Sequence, residues 1–270
     1  MSFSIAGKTA VVTGAANGVG LAVARRFVEQ GANVMFADMD EARLVAEIGQ
    51  VSEDENGTVA YYAGDLREKL NVTNLLSATI DRFERADILV NASRQVLSSD
   101  PLNPDDDAVG ELLTQNLMTP LRISQIFAKR MIKQAKEAED EEAPAGAIIN
   151  LSSIAARRTQ PELLAYSVSS AALDQMTRSM AVALAPHRIR VNAIALGSVM
   201  SASLQGALKE NENLRDEIID STPLHRIASA TELAEVAQFL ASDGSGFMTG
   251  QILTVDGGRT LVDAAEAPAH

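Results

Sequence analysis

A short apolar run, a glycine-rich turn and a helix-patterned segment follow one another near the start of the chain. The run is Thr9–Thr13, the turn spans residues 14–20, and apolar residues then recur at helical spacing up to Val28. Such a run is typical of a strand buried in a parallel sheet. Glycines let the backbone approach a pyrophosphate, and the N-terminus of the following helix offers unpaired N–H groups and the positive end of its dipole. The spacing is Gly-x3-Gly-x-Gly rather than the dinucleotide fingerprint Gly-x-Gly-x-x-Gly, so a purely structural glycine turn is the alternative.

Further apolar runs alternate with helix-patterned segments along the whole chain. The runs lie at residues 33–37, 58–62, 87–91, 147–151, 190–195 and 252–255. The spacing predicts a long amphipathic helix over residues 112–131, a helix that carries Tyr166 to about residue 185, and a helix over residues 231–240 that begins at Thr231 without a full capping box. We find no linker and no internal repeat. The chain is therefore predicted to form one α/β domain over residues 1–270, a doubly wound (Rossmann) parallel sheet with helices on both faces and ligands at the carboxyl ends of the strands.

Two acidic residues follow predicted strands on the ligand side. Asp38 ends the second run, 24 residues after Gly14, where a carboxylate can accept hydrogen bonds from the adenosine ribose and repels a 2′-phosphate. No lysine or arginine stands at positions 15–17 to hold such a phosphate, so the sequence favours NAD over NADP. The alternative is that Asp38 is an exposed loop acid. Asp65 can accept from the adenine amino group, cap the N-terminus of the next helix, or do both.

The segment at residues 198–226 contains no predicted strand. An irregular segment of this length in an α/β domain is often functional, and we predict that it is a substrate lid. Its apolar residues Met200, Leu204, Leu208 and Leu214 favour a moderately hydrophobic substrate. The acidic stretch at residues 134–146 is predicted to be a solvated helix extension and turn.

Charge and composition exclude several classes of partner. With 23 basic and 36 acidic residues the net charge is −13, which argues against nucleic acid and anionic membranes as ligands. The chain has no cysteine and its three histidines lie far apart, so no metal site is predicted. No apolar run approaches the roughly 18 residues of a membrane-spanning helix, and residues 1–8 show no signal-peptide pattern. We expect a soluble, cytoplasmic protein.

Three hydroxyl side chains mark a candidate active site. Tyr166 and Ser170 are four residues apart, which places them one turn apart on one face of a helix. Ser153 stands at the end of the fifth apolar run. A hydroxyl that ends a strand and a phenol at the start of the next helix can meet at the rim of a parallel sheet.

Taken in order, these motifs resemble those of the short-chain dehydrogenase/reductase family, closest to its 3-oxoacyl-carrier-protein reductase-like members, over residues 5–262. The family's Thr-Gly-x3-Gly-x-Gly matches residues 13–20, its acidic NAD determinant Asp38, and its C-terminal Val-Asp-Gly-Gly residues 255–258. The resemblance implies cofactor-binding roles for Gly14, Asn17, Gly18, Val19, Gly20, Asp38, Asp65, Leu66, Asn91, Gly197 and Val199. It implies catalytic roles for Asn116, Ser153, Tyr166 and the residue at the family's lysine position, Ser170.

Three departures from the family pattern stand out. The family's Asn-Asn-Ala-Gly is Asn-Ala-Ser-Arg at residues 91–94, its Pro-Gly is Leu196-Gly197, and its Tyr-x3-Lys is Tyr166-x3-Ser170. In the family the tyrosine exchanges a proton with the substrate oxygen, the serine hydrogen-bonds that oxygen and the asparagine organises a water relay. The lysine binds the nicotinamide ribose and lowers the tyrosine pKa. Ser170 brings no charge, so we expect a slow enzyme whose alcohol oxidation has an alkaline limb.

Two arginines can supply the missing charge. Arg94 lies near the carboxyl end of the fourth predicted strand, and Arg157 lies four residues after Ser153. The alternative for each is a surface arginine, or one paired with an acid of this acidic chain.

The resemblance therefore predicts an NAD-dependent oxidoreductase that interconverts a secondary alcohol and a ketone, with Tyr166 as acid and base. The alternative is a catalytically impaired NAD-binding protein on the same fold, a sensor or the subunit of a mixed oligomer. Related proteins form homodimers or homotetramers, which implies pairing here through helices near residues 110–131 and 163–185 and through the last strand.

Overall fold

The computed structural model describes residues 3–51, 57–138, 142–211 and 213–263. Part of the acidic stretch at residues 134–146 falls outside these ranges. After Gly258 the chain forms a 3-10 turn, Arg259–Leu261, and from residue 264 it lies outside the described residues.

Seven parallel strands in the described residues form one sheet, which confirms the predicted α/β fold. Their order is β3-β2-β1-β4-β5-β6-β7. The bounds are β1 Thr9–Thr13, β2 Asn33–Asp38, β3 Val59–Ala63, β4 Ile88–Asn91, β5 Gly146–Ser153, β6 Ile189–Leu196 and β7 Ile252–Val255. The chain moves outward in one direction from β1 to β3 and in the other from β4 to β7. The change of direction between β1 and β4 is the point where such sheets bind ligands.

Helices cover both faces of the sheet, as predicted. They are α1 Gly18–Glu29, α2 Glu41–Val51, α3 Lys69–Phe83, α4 Ala108–Leu113, α5 Thr119–Glu137, α6 Leu164–Leu184, α7 Ala202–Glu210, α8 Leu214–Asp220 and α9 Ala230–Ala241. One core cluster joins the sheet to α1, α2 and α9 through Phe27, Leu44 and Leu240. The other joins it to α3, α5 and α6 through side chains that include Leu75 and Phe127. Burial of these apolar faces is the main force that holds the layers together.

Several local predictions were wrong. The helix predicted over residues 112–131 is interrupted by a π turn at Thr114–Met118, between α4 and α5. The last long helix begins at Ala230 rather than Thr231, and a full capping box joins Ser229 and Glu232. Asp65 is not an N-cap, because α3 begins at Lys69 after Glu68. The described residues of the segment 198–226 contain no strand, as predicted, but the segment is not irregular throughout, because it contains α7 and α8.

Among the described helices, none is both long and apolar enough to cross a membrane.

Candidate cofactor cleft and active site

The glycine turn after β1 folds tightly against the end of β4. Gly14 has a φ of +67°, and a Cβ there would lie 2.8 Å from the Ser93 backbone. A Cβ on Gly20 would overlap the Gly14 carbonyl oxygen. The Thr13 hydroxyl accepts the N–H groups of Ala92 and Ser93 at 3.0 and 3.1 Å. Glycine at positions 14 and 20 is thus required by the close approach of backbone to backbone.

A cleft of about 440 Å³ opens above this turn at the carboxyl ends of the strands. Its size is in the range of small-molecule sites. Most of the residues predicted to bind the cofactor line it: Gly14, Asn17, Gly18, Val19, Gly20, Asp38, Asp65 and Leu66. Three predicted ones do not. Asn91 lines a separate small cavity, Gly197 donates its N–H to the Val255 carbonyl, and Val199 is buried.

Asp38 is held in place at the end of β2. One carboxylate oxygen accepts the Ala16 N–H at 3.1 Å, and the other accepts the Asp40 N–H at 3.1 Å. Asp38 is half-buried and lines the cleft rather than standing in an exposed loop. These two backbone contacts use one lone pair on each oxygen and leave acceptor capacity for a sugar hydroxyl.

Asp65 has a partner that the sequence analysis did not identify. The Arg67 guanidinium donates to both of its carboxylate oxygens at 2.7–3.0 Å. This pairing and the Arg67 N–H hold the pKa of Asp65 below its ordinary value. Both side chains line the cleft, so Arg67 belongs to this end of the site. Its role was not visible in the sequence, because an i, i+2 pair in a loop has no periodic signature.

The predicted catalytic hydroxyls of Ser153 and Tyr166 do not line this cleft. Ser153 is the last residue of β5, and its hydroxyl accepts the Ala155 N–H at 3.1 Å. Tyr166 lies in the first turn of α6 and is 5% exposed. Its hydroxyl has no hydrogen-bond partner among the described residues, so no bond joins it to Ser153. A buried phenol without a partner is free to bond a substrate oxygen.

Tyr166 and Ser170 share one face of α6, as predicted, and line a cavity of about 10 Å³ with Asn91, Arg94 and Asn116. Asn91 Oδ1 also lacks a partner among the described residues. The Asn91 amide donates to Ser124 and Asn150 at 3.0 and 2.8 Å. Hydrogen bonds to α5 and β5 therefore hold Asn91 in the polar lining of this cavity.

Asn116 lies in the π turn rather than in a regular helix. Its side chain accepts the Gln95 N–H and donates to the Gln95 carbonyl, both at 2.9 Å. A π turn inside an α-helix often marks a functional site. Here it brings Asn116 against the loop after β4 and into the wall of the small cavity.

Of the two arginines considered as substitute cations, Arg94 lies beside Tyr166. Its guanidinium stands 5.0 Å from the centre of the Tyr166 ring and donates to the Ser152 carbonyl at 2.8 Å. Arg157 is exposed. Arg94 lines both the cleft and the small cavity, so it occupies the boundary between the two.

The family described as enoyl-(acyl carrier protein) reductase matches residues 14–260. The chain belongs to the short-chain dehydrogenase/reductase family. It is 32% identical over 259 residues to an uncharacterized oxidoreductase of Thermotoga maritima, covering 95% of this chain and 98% of that protein. It is 31% identical over 261 residues to a 3-oxoacyl-[acyl-carrier-protein] reductase of Chlamydia trachomatis, covering 96% and 99%.

Solved structures of this short-chain dehydrogenase/reductase fold superpose closely. A 7α-hydroxysteroid dehydrogenase complexed with NADH and 7-oxo glycochenodeoxycholic acid gives a TM-score of 0.87 at 26% identity over 95% of this chain and 96% of that chain. A gluconate 5-dehydrogenase from Burkholderia cenocepacia in complex with NADP and tartrate gives 0.86 at 28% identity over 97% and 98%. The predicted family and its oxidoreductase class are confirmed. The two structures hold different cofactors, so likeness alone does not choose between NAD and NADP.

Proposed function

We propose that this protein is an NAD-dependent oxidoreductase that interconverts a secondary alcohol and a ketone, with Tyr166 as the acid and base. The observation that carries the proposal is the buried, unpartnered Tyr166 hydroxyl, at the family's tyrosine position. A phenol in such a position can give a proton to a carbonyl oxygen or, as phenolate, take one from an alcohol.

The glycine turn and Asp38 support NAD as the cofactor. The backbone of residues 14–20 and the N-terminus of α1 would hold the pyrophosphate, and Asp38 would accept the adenosine ribose hydroxyls while repelling a 2′-phosphate. The cradle fits this group, because Gly14, Gly18 and Gly20 line the cleft where α1 begins. When bound, the nicotinamide supplies or accepts the hydride.

The remaining chemistry belongs to this chain's own side chains. The Ser153 hydroxyl accepts the Ala155 N–H, which leaves its proton free to donate to the substrate oxygen. Asn116 would organise the proton relay, and its fixed contacts with Gln95 hold it in the cavity wall beside Tyr166. Ser170 is buried in the same wall and carries no charge.

The segment at residues 198–226 is our proposed substrate lid. Ser201 lines the cleft, and the end of the segment is tied to the turn after β7, where Leu224 donates its N–H to the Gly257 carbonyl at 3.2 Å. The helices between these two anchors, α7 and α8, would cover a ketone or secondary alcohol. The apolar side chains of the lid favour a moderately hydrophobic substrate.

The test is oxidation of NADH and of NADPH by the purified protein with a panel of acyl, steroid and sugar-derived ketones. We expect turnover with NADH, and a rate lower by a factor on the order of 10² to 10⁴ in Tyr166→Phe. Turnover that is faster with NADPH would contradict the proposed cofactor, and a turnover rate that is undiminished in Tyr166→Phe would contradict the proposed acid and base.

A second candidate function rests on Ser170, which replaces the family's lysine. In that case the protein binds NAD without turning over a substrate. Ser170→Lys discriminates the two functions, because activity that appears only in this variant favours the binding protein. Activity in the parent chain favours the enzyme.

The same proposal includes assembly and location. We propose a homodimer or homotetramer, supported by the apolar side chains that α6 exposes, and a location in the cytoplasm, where reduced and oxidised dinucleotides are both available.

A further inference from the structure

Arg94 presents a cation to the face of the proposed catalytic tyrosine. The guanidinium carbon lies 5.0 Å from the centre of the Tyr166 ring. A cation at this distance from an aromatic face is attracted by the ring quadrupole, and it stabilises negative charge on the same side chain more strongly still.

Arg94 also reaches the strand that carries Ser153. Its Nη1 donates to the Ser152 carbonyl at 2.8 Å, one residue before Ser153. One side chain from the loop after β4 thus contacts both the end of β5 and the first turn of α6. These are the two elements that present the hydroxyl groups of the site.

Among the described residues, no carboxylate lies within ion-pair distance of the Arg94 guanidinium, so none of them neutralises its charge. Burial lowers the pKa of Arg94 to about 10, so the side chain stays protonated at neutral pH. Of the described side chains that line the small cavity with Tyr166 and Ser170, only Arg94 has a formal charge.

We propose that Arg94 is the positioning residue that takes over the electrostatic task of the family's lysine, stabilising the Tyr166 phenolate and fixing the end of β5. This inference rests on the proposed function of Tyr166. It links two departures from the family pattern, since the arginine stands where the family has a glycine and the serine where it has the lysine. Relative to the family pattern, the positive charge stands at position 94, on the loop after β4, and not at position 170, on α6.

Other charged groups near Tyr166 also contribute to its electrostatic environment. The elements packed against it are the loop after β4, α4, the turn after β5 and α6 itself. The charged side chains on or beside these elements, besides Arg94, are Asp100, Asp105, Asp106, Asp107, Glu111, Arg157, Arg158, Glu162, Asp174 and Arg178. Asp174 accepts a hydrogen bond from the Ser152 hydroxyl. Its carboxylate interacts electrostatically with Arg157 and Arg178 rather than with Arg94.

The composition of the chain allows a direct measurement on Tyr166. The protein has three tyrosines and no tryptophan. In a Tyr61→Phe/Tyr62→Phe background, Tyr166 is the one remaining tyrosine, and ultraviolet difference absorption during alkaline titration reports its pKa without any substrate. The two replaced tyrosines lie on β3 and do not line the cleft.

In this background we expect Arg94→Gln to raise the pKa of Tyr166 by about one unit or more. Glutamine keeps a donor for the Ser152 carbonyl but has no charge. Arg94→Lys keeps the charge and should return the pKa toward the parent value. Arg157→Gln is the matched control and should leave it unchanged. An unchanged pKa in Arg94→Gln, or equal shifts in the glutamine and lysine variants, would overturn the proposal.

A double-mutant cycle tests whether positions 94 and 170 share one task. Arg94→Gly should raise the Tyr166 pKa. Ser170→Lys added to the Arg94→Gly variant should lower this pKa again. The decrease should be larger than the one that Ser170→Lys causes when Arg94 is present. Strictly additive shifts would contradict the proposal. The pH at which alcohol oxidation reaches half its maximum should move in parallel.

The titration tests the role of Arg94 and the turnover assay tests the proposed function, so either one can fail without the other. If the Arg94 variants shift the Tyr166 pKa but no ketone is turned over, the proposed function is wrong and the electrostatic link stands. If turnover occurs without any shift, the proposed function stands and Arg94 acts by packing alone.

Discussion

At the scale of a single residue, we propose that Asp38 selects which dinucleotide the cleft accepts. Its carboxylate is held at the cleft by hydrogen bonds from the N–H groups of Ala16 and Asp40. Asp38→Asn removes the negative charge while keeping the size of the side chain. We expect the affinity for NADPH relative to NADH to rise about tenfold or more, which corresponds to roughly 1.4 kcal/mol, measured by fluorescence titration of the reduced cofactors.

Asp40→Asn is the control for this prediction. It makes the same change of charge two residues along the chain, outside the cleft wall. An equal change of preference in both variants would mean that net charge, rather than the position of Asp38, selects the cofactor.

A substitution at Tyr166 tests whether its hydroxyl serves proton transfer rather than cofactor binding. Tyr166→Phe removes only the hydroxyl, which makes no hydrogen bond within the described residues, so the fold and the cofactor cleft should be unaffected. We expect the turnover rate to fall by a factor on the order of 10² to 10⁴, with the NADH dissociation constant unchanged within about twofold. A comparable loss of NADH binding would show that the phenol supports the cofactor and not the proton transfer.

The capping box that opens α9 gives a prediction at the scale of an element. Glu232 accepts the Ser229 N–H and pairs with Arg226 at 2.6 Å, and these contacts lower its pKa from 4.5 to about 2. Because the folded-state pKa is depressed, the contribution to stability is present above about pH 4.5 and is lost as the pH falls toward 2.

We expect Glu232→Gln to lower the free energy of unfolding at pH 7 by no more than about 1 kcal/mol, since the pair is largely exposed. At pH 3 the difference from the parent should be smaller. Urea unfolding at the two pH values measures it, and Glu235→Gln, an exposed acid on the same helix, is the control. A difference that grows on acidification would contradict the capping assignment.

The elements were predictable from sequence wherever one local pattern decided them. The predicted runs became strands within one or two residues of their predicted ends, because most of their residues are apolar and the five inner strands are covered on both faces. Local patterns failed where two signals competed. Ser229 and Thr231 are both acceptable helix caps, and the position of Glu232 three residues after Ser229 decides for the former. The π turn at Thr114–Met118 has no signature in hydrophobic spacing, since one extra residue in a turn leaves both flanking helices in phase with their own patterns.

At the scale of the whole molecule, the sequence was sufficient to name candidate site residues, but it did not show which of them contact one another. It named Arg94 and Arg157 as equal candidates, and only the fold places one guanidinium over the Tyr166 ring and leaves the other exposed. The loop after β4 meets β5 and α6 because the sheet places β4 beside β5. Such contacts join residues more than fifty positions apart, and no periodic pattern reports them.

The surface of α6 carries the last prediction, which concerns assembly. Leu164, Val168 and Val182 are 37%, 44% and 78% exposed, and their spacing of four and fourteen residues places them on one side of the helix. An exposed apolar stripe on a long helix is typical of an interface. In a two-fold symmetric pair, Val168→Glu would bring two carboxylates together between chains that each carry a net charge of −13. We expect light scattering to give an oligomeric mass for the parent and a lower mass for Val168→Glu. Leu70→Glu, the same change at an exposed position of α3, should keep the parent's mass, and a parent that is monomeric at every concentration would contradict the proposed pairing.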